Sequence, residues 1–107
     1  MEGPARISQD QMALAAEEAA AVLRALSNPS RLLILCQLVE SERTVGEIEV
    51  LLGLGQAYVS QQLARLREEG LVAATRDGRQ MRYRLHDERV APVIRTLYEQ
   101  FCANRGG

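Results

Sequence analysis

The stretch TVGEIEVLLGLGQAYVSQQLARLREEG, residues 44–70, decides the fold. Thr44 followed by Glu47 matches a capping box, in which each side chain accepts a bond from the other's backbone N–H. The box opens a short helix with Ile48, Leu51 and Leu52 on one face. Gly53 ends that helix, because only glycine takes the left-handed backbone at no steric cost. Leu54 and Gly55 alone intervene before a second helix, Gln56 to about Glu69, which stops at Gly70. Its apolar positions are Val59, Leu63 and Leu66, while Gln56, Ser60, Gln61, Arg65 and Arg67 lie on other faces. Two helices joined by a turn this short and containing glycine are a helix-turn-helix.

Working outward, LVAATRDGRQMRYRL at 71–85 reads as two extended runs around Asp77-Gly78, whose favoured turn needs positive φ at both central residues. Upstream, Met12, Ala16, Ala19, Leu23 and Leu26 fall at helical spacing, so 10–26 is expected to be a helix after frayed residues 1–8. Asn28 caps the next helix with Pro29 at its first position. That helix, about 29–41, is apolar over Leu32, Leu33, Ile34, Leu35, Leu38 and Val39 and is expected to be buried all round. Downstream, Asp87 is the expected cap of a last helix striped with Val90, Val93, Ile94, Leu97, Tyr98 and Phe101. Pro92 is tolerated only in a first turn, so that helix begins near residue 89. The expected architecture is mainly α with a small β-hairpin: a single winged helix-turn-helix domain over 1–107. Residues 44–69 are its helix-turn-helix and 71–86 its wing, and the helices at 10–26 and 89–104 carry stripes longer than so small a core needs. Those two are expected to form a homodimer interface.

Composition sets the wider bounds. A 47% hydrophobic, 25% charged chain of 107 residues is ordinary globular material and argues against disorder. No apolar run approaches the ~18–20 residues of a membrane span. The opening MEGPARISQD lacks the apolar core of a signal peptide, so a cytoplasmic protein with no membrane contact is expected. The net charge of −1 argues at first against nucleic acid, but the distribution is uneven. Residues 1–50 hold four arginines and eight acids, whereas 51–90 hold seven arginines and five acids. Every basic side chain is arginine, the one suited to bidentate phosphate and base contacts.

The exposed half of helix 56–69 offers Gln56, Ala57, Ser60, Gln61 and Arg65. Glutamine can bond adenine N6 and N7 together, and alanine can touch a thymine methyl. The wing carries Arg76, Arg79, Arg82 and Arg84, of which Arg76 and Arg79 flank the tip at Gly78, where phosphate or minor groove is reached. A solvent-facing helix and a charged edge that resists strand aggregation account for the same residues separately. Their combination with the short turn favours double-stranded DNA, read as a pseudo-palindrome by a two-fold dimer. His86, the one histidine, has no partner set for a metal, and neither a metal nor a cofactor is expected. No Cys-x-x-Cys, paired-carboxylate site or Gly-rich phosphate loop suggests an enzyme.

LSNPSRLLIL at 26–35, VGEIEVLLGLGQAYVSQQLARLREEGLV at 45–72 and RDGRQMRYRL at 76–85 resemble the ArsR family of winged-helix repressors over nearly the whole chain. The sequence is most similar to the persulfide-sensing, BigR/SqrR-like branch. That branch pairs a cysteine of the second helix with one at the end of the last, which here are Cys36 and Cys102. The resemblance implies that a bridge across Cys36 and Cys102 releases operator DNA, with a low-molecular-weight persulfide or polysulfide as inducer. An arsenite-sensing repressor, or one answering another thiophilic or oxidising species through the same pair, remains open. So does the plain reading of two small buried side chains. The Cys-x-Cys or Asp/His ligands of the metal-sensing branches do not occur at 44–52 or 88–107. Gly55 and Gln62 depart from the Ser and His common in relatives; neither departure threatens the fold, and base preference stays open.

Overall fold

The computed structural model describes residues 7–86 and 88–103. In chain order they form α1 (Gln9–Leu26), α2 (Pro29–Gln37), β1 (Arg43–Thr44), α3 (Val45–Leu52), α4 (Gln56–Glu68), β2 (Val72–Asp77), β3 (Gln80–Leu85) and α5 (Val90–Tyr98), followed by a π-helical turn, Glu99–Ala103. The strands make an antiparallel sheet in the order β1-β3-β2. This is a winged helix-turn-helix with a further helix at each end.

The helix starts follow local chemistry. Ser8, expected to fray, instead caps α1: Gln11 N–H donates to its Oγ at 3.1 Å, and Ser8 N–H donates to Gln11 Oε1 at 2.9 Å. Residues 1–6 and the terminal Arg-Gly-Gly lie outside the described residues. Asn28 Oδ1 accepts from Ser30 and Arg31 N–H at 2.9 and 3.1 Å, with Pro29 leading α2. In α3, Thr44 N–H donates to Glu47 Oε1 at 2.8 Å, and Glu47 N–H donates to Thr44 Oγ1 at 3.2 Å. Gly53 takes φ 66°, ψ 28° and ends α3.

Elsewhere the structure departs from the pattern. α2 stops at Gln37, not near 41, because Leu38 and Val39 turn back tightly, donating to Leu35 and Cys36 carbonyls at 3.0 and 3.2 Å. The chain must then extend for β1, where Arg43 pairs with Tyr83 and Thr44 with Arg82. So the expected hairpin is a three-stranded sheet, whose two-residue strand is too short to show alternation. α2 is not buried all round either: Ile34 and Leu35 enter the core while Leu33 stays exposed. In α3, Ile48 is fully buried and Leu52 half-buried, but Leu51 turns outward. Four-residue spacing aligns the first two on one face, and Leu51 falls on its flank.

The wing turn is also displaced. Asp77 pairs with Gln80 at the end of the ladder, so the two loop residues are Gly78 and Arg79 rather than Asp77 and Gly78. Only Gly78 has positive φ, 65°, at the first loop position, as a II′ turn requires. At the C-terminal end, α5 starts at Val90 with no side-chain cap from Arg89, and Asp87, the expected cap, lies outside the described residues. Pro92 sits third in α5, within the first turn, where its missing N–H costs no helical bond. The expected single helix over 89–104 is divided, because α-helical bonding passes into the wider π winding at Glu99. Phe101 leaves the apolar stripe there and is exposed.

The core lies where α2, α3, α4 and α5 meet under the sheet. Ile34, Leu35, Ile48, Val59, Leu63, Leu66, Val72, Val90 and Ile94 are fully buried, each worth about 1.5–3 kcal/mol relative to exposure. Arg31 donates to Glu69 Oε1 at 2.6 Å and ties the start of α2 to the end of α4. By contrast α1 gives the core only Ala25 and Leu26, while Met12 and Leu23 stay 49% and 59% exposed.

Candidate nucleic-acid interface and thiols

α4 presents two faces. Val59, Gln62, Leu63 and Leu66 are buried, which fixes the rotation of the helix and turns Gln56, Ala57, Gln61 and Arg65 outward, with Ser60 half-buried. Gln62 is therefore among the core contacts of α4. Its burial turns it away from the outward face that carries Gln56, Ala57 and Gln61. Gly55 precedes α4 at φ −68°, ψ 150° with no side-chain cap, leaving first-turn N–H groups without that partner.

The wing completes the surface. A cleft of about 420 Å³ is lined by Gln56 and Ser60 of α4, Arg79 of the wing tip, Thr44, Val45 and Gly46 at the start of α3, and Gln80, Met81 and Tyr83 of β3. So three of the expected residues, Gln56, Ser60 and Arg79, share one concavity. Ala57, Gln61, Arg65, Arg76 and Gly78 are exposed outside its lining. Sequence reading missed Gln80, Met81 and Tyr83, although the alternation in QMRYRL already places Met81 and Tyr83 on one strand face. The wing arginines divide. Arg82 Nε donates to Asp77 Oδ2 at 2.8 Å and Arg84 donates to Thr75 Oγ1 at 2.7 Å. Arg76, whose Nη1 donates to Met81 Sδ at 4.0 Å, and Arg79 are the cations nearest the tip.

Cys36 is half-buried on α2 and Cys102 exposed on the π-helical turn, and both are free thiols. Burial pushes the Cys36 thiol above its ordinary value, and charge on Cys102 adds to the rise. α2 packs against α5, the helix that leads to Cys102. The thiols nonetheless stand as two separate groups, not as a bonded pair. His86 is exposed, its N–H donating to the Leu71 carbonyl at 3.0 Å. Among the described residues no three His, Cys, Asp or Glu side chains cluster to hold a metal.

A separate groove of about 310 Å³ runs between α1 and α5, lined mainly by Ala15, Ala19, Val22, Leu23, Val90 and Val93. Glu18 and Arg89 edge it, 3.5 Å apart. No single helix among the described residues is long and apolar enough to cross a membrane.

Residues 28–74, spanning α2 to β2, match the family described as bacterial regulatory protein, arsR family. The biofilm growth-associated repressor of Xylella fastidiosa (strain 9a5c) is 43% identical over 97 residues, covering 91% of this chain and 85% of that protein. The chain belongs to the arsR family. The crystal structure of the transcriptional repressor BigR from Xylella fastidiosa superposes on this ArsR-family regulator with a TM-score of 0.82 at 43% identity, covering 91% of this chain and 96% of that one. The homodimeric winged helix-turn-helix DNA-binding domain Mb0332 from Mycobacterium bovis gives 0.72 at 34% identity, covering 95% and 92%. The ArsR-family chain is thus a transcriptional regulator built around a DNA-binding helix-turn-helix, in a family of regulators rather than enzymes.

Proposed function

We propose that this chain is a homodimeric repressor that holds a pseudo-palindromic operator through α4 and the wing and releases it when Cys36 and Cys102 are bridged by sulfur. The observation that carries the DNA half is the cleft in which Gln56, Ser60 and Arg79 converge from two elements. A base-reading helix face and a phosphate-reaching arginine belong together only on a duplex. Gln56, Ala57, Ser60 and Gln61 read base edges, while Arg65, Arg76, Gly78 and Arg79 approach the backbone. Repression is supported by the relatives named as repressors. The dimer is supported by the homodimeric neighbour and by the apolar groove between α1 and α5, which exposed Leu23 lines.

The thiols are proposed as the switch. Each thiolate takes the outer sulfur of a donor persulfide and releases the donor as a thiol. The terminal sulfur of one cysteine persulfide then displaces hydrosulfide from the other, leaving a Cys36–S–S–S–Cys102 bridge. The donor persulfide is the oxidant throughout. A direct disulfide needs Cα atoms about 4.4–6.8 Å apart, and each inserted sulfur widens that reach by up to about 2 Å. A gap slightly too wide for a disulfide would therefore favour persulfide over peroxide. The bridge would tie α2 to the end of α5 and so shift the two recognition helices of a dimer. A 100-fold loss of operator affinity requires only about 2.7 kcal/mol.

The test uses a duplex selected from a random pool by the reduced protein. Binding and intact mass are followed after glutathione persulfide, glutathione disulfide, peroxide and arsenite, each separately. Persulfide should add sulfur across both cysteines and release DNA, while Cys36→Ser and Cys102→Ser bind DNA but do not release it. Release by arsenite alone assigns the thiols to a different inducer. A single variant that answers persulfide like the parent removes them from sensing.

A further inference from the structure

The pairing of Thr75 with Arg82 and of Asp77 with Gln80 puts Thr75, Asp77, Arg82 and Arg84 on one face of the wing. Arg82 is the most connected of them. Its Nε donates to Asp77 Oδ2 at 2.8 Å, and its Nη1 stands 4.0 Å from Glu47 Oε1. That same Glu47 oxygen accepts the Thr44 N–H in the box that starts α3. Thr44 is also the residue of β1 that pairs with Arg82 on β3. One guanidinium therefore joins the end of β2 next to the wing tip, the central strand and the first turn of α3. The hydrogen bond and charge of Asp77, with Glu47 and Glu42 adding, hold Arg82 more firmly protonated than usual.

We propose that Arg82 is a positioning residue: it locks the wing to the start of α3, so that Arg79 meets the same DNA backbone that α4 addresses. This rests on the DNA-binding reading above. The lock and a direct phosphate contact by Arg82 predict opposite signs at Asp77. If Arg82 touched phosphate, Asp77 would compete with DNA for it, and removing the carboxylate would tighten binding. In the lock, Asp77 is half of the device, and its loss weakens binding.

Arg82→Gln, Asp77→Asn, their double variant and Arg79→Ala are compared in the full chain by fluorescence anisotropy on a selected duplex across a range of salt. Arg82→Gln and Asp77→Asn should each weaken binding roughly two- to fivefold with an unchanged salt slope. The double variant should be no weaker than the weaker single, since both remove one contact. Arg79→Ala should lower the slope by about one unit. A lowered slope in Arg82→Gln, or tighter binding by Asp77→Asn, overturns the proposal. Amide hydrogen exchange over 72–85 in the protein without DNA reads the lock independently. Faster exchange in both variants supports it, and unchanged protection overturns it. A parent with no affinity for any duplex instead overturns the DNA-binding reading, and the exchange result then decides the lock alone.

Discussion

Gly53 and Gly55 sit two residues apart in the turn between α3 and α4, yet replacing them should move stability in opposite directions. Gly53 lies at φ 66°, ψ 28°, and a Cβ built there meets no heavy atom within 4 Å. The cost of Gly53→Ala is therefore backbone alone, about 1–2 kcal/mol for an L-residue in the left-handed region. Lower entropy of the unfolded chain returns about 0.4–1 kcal/mol of that, so a net loss of about 1 kcal/mol is expected. Gly55 stands at φ −68°, ψ 150°, which any residue accepts, and its surroundings are equally open. Gly55→Ser adds the cap that α4 lacks, worth a few tenths of a kcal/mol, together with the same kind of unfolded-state gain. Its expected stabilisation is about 0.5–1 kcal/mol. At about 4–8 °C per kcal/mol for a small domain, the two variants should melt on either side of the parent, several degrees apart. Urea and thermal denaturation at one fixed protein concentration measure this, since association would otherwise shift the midpoint. A neutral or stabilising Gly53→Ala, or a shift of both variants in one direction, would refute the claim that backbone conformation governs this turn.

Thr44→Ala removes the nearly buried hydroxyl that accepts Glu47 N–H and should cost about 0.5–2 kcal/mol in urea denaturation. Gln61→Ala should cost about 1–3 kcal/mol on the selected duplex and little on random DNA; equal losses in competition binding would move Gln61 off the base edges. Cys36 should alkylate more slowly than Cys102 near neutral pH, because burial keeps its thiol protonated, as peptide mass spectrometry after timed iodoacetamide treatment will show. The folded-state pKa of Cys36 is raised, so its stability contribution is full below the unfolded thiol pKa and is lost as pH climbs through the folded value. Alkaline denaturation of Cys36→Ala against the parent should show the parent losing more stability over that window.

What the chain declares by itself is what acts within a few residues. The Thr44–Glu47 box, the Asn28 cap with Pro29, and the stop at Gly53 each depend on a side chain meeting backbone N–H groups two or three positions away or on one backbone angle. The helix-turn-helix is the sum of such signals, and its exposed face at Gln56, Ala57 and Gln61 follows once Val59, Leu63 and Leu66 are driven inward. Tertiary structure decided the rest. β1 is a strand only because β3, some forty positions later, offers Tyr83 and Arg82 as partners. Gln62 is polar in sequence and buried in space, and Leu33 and Leu51 are apolar and exposed, since a short helix shows the core only one face. The wing's arginines look alike in RDGRQMRYR until pairing sends Arg82 to Asp77 and Arg84 to Thr75, and leaves Arg79 in a cleft with Gln56 and Ser60. Likewise, the different exposure of Cys36 and Cys102 comes from what packs over each thiol, which no spacing along the chain specifies.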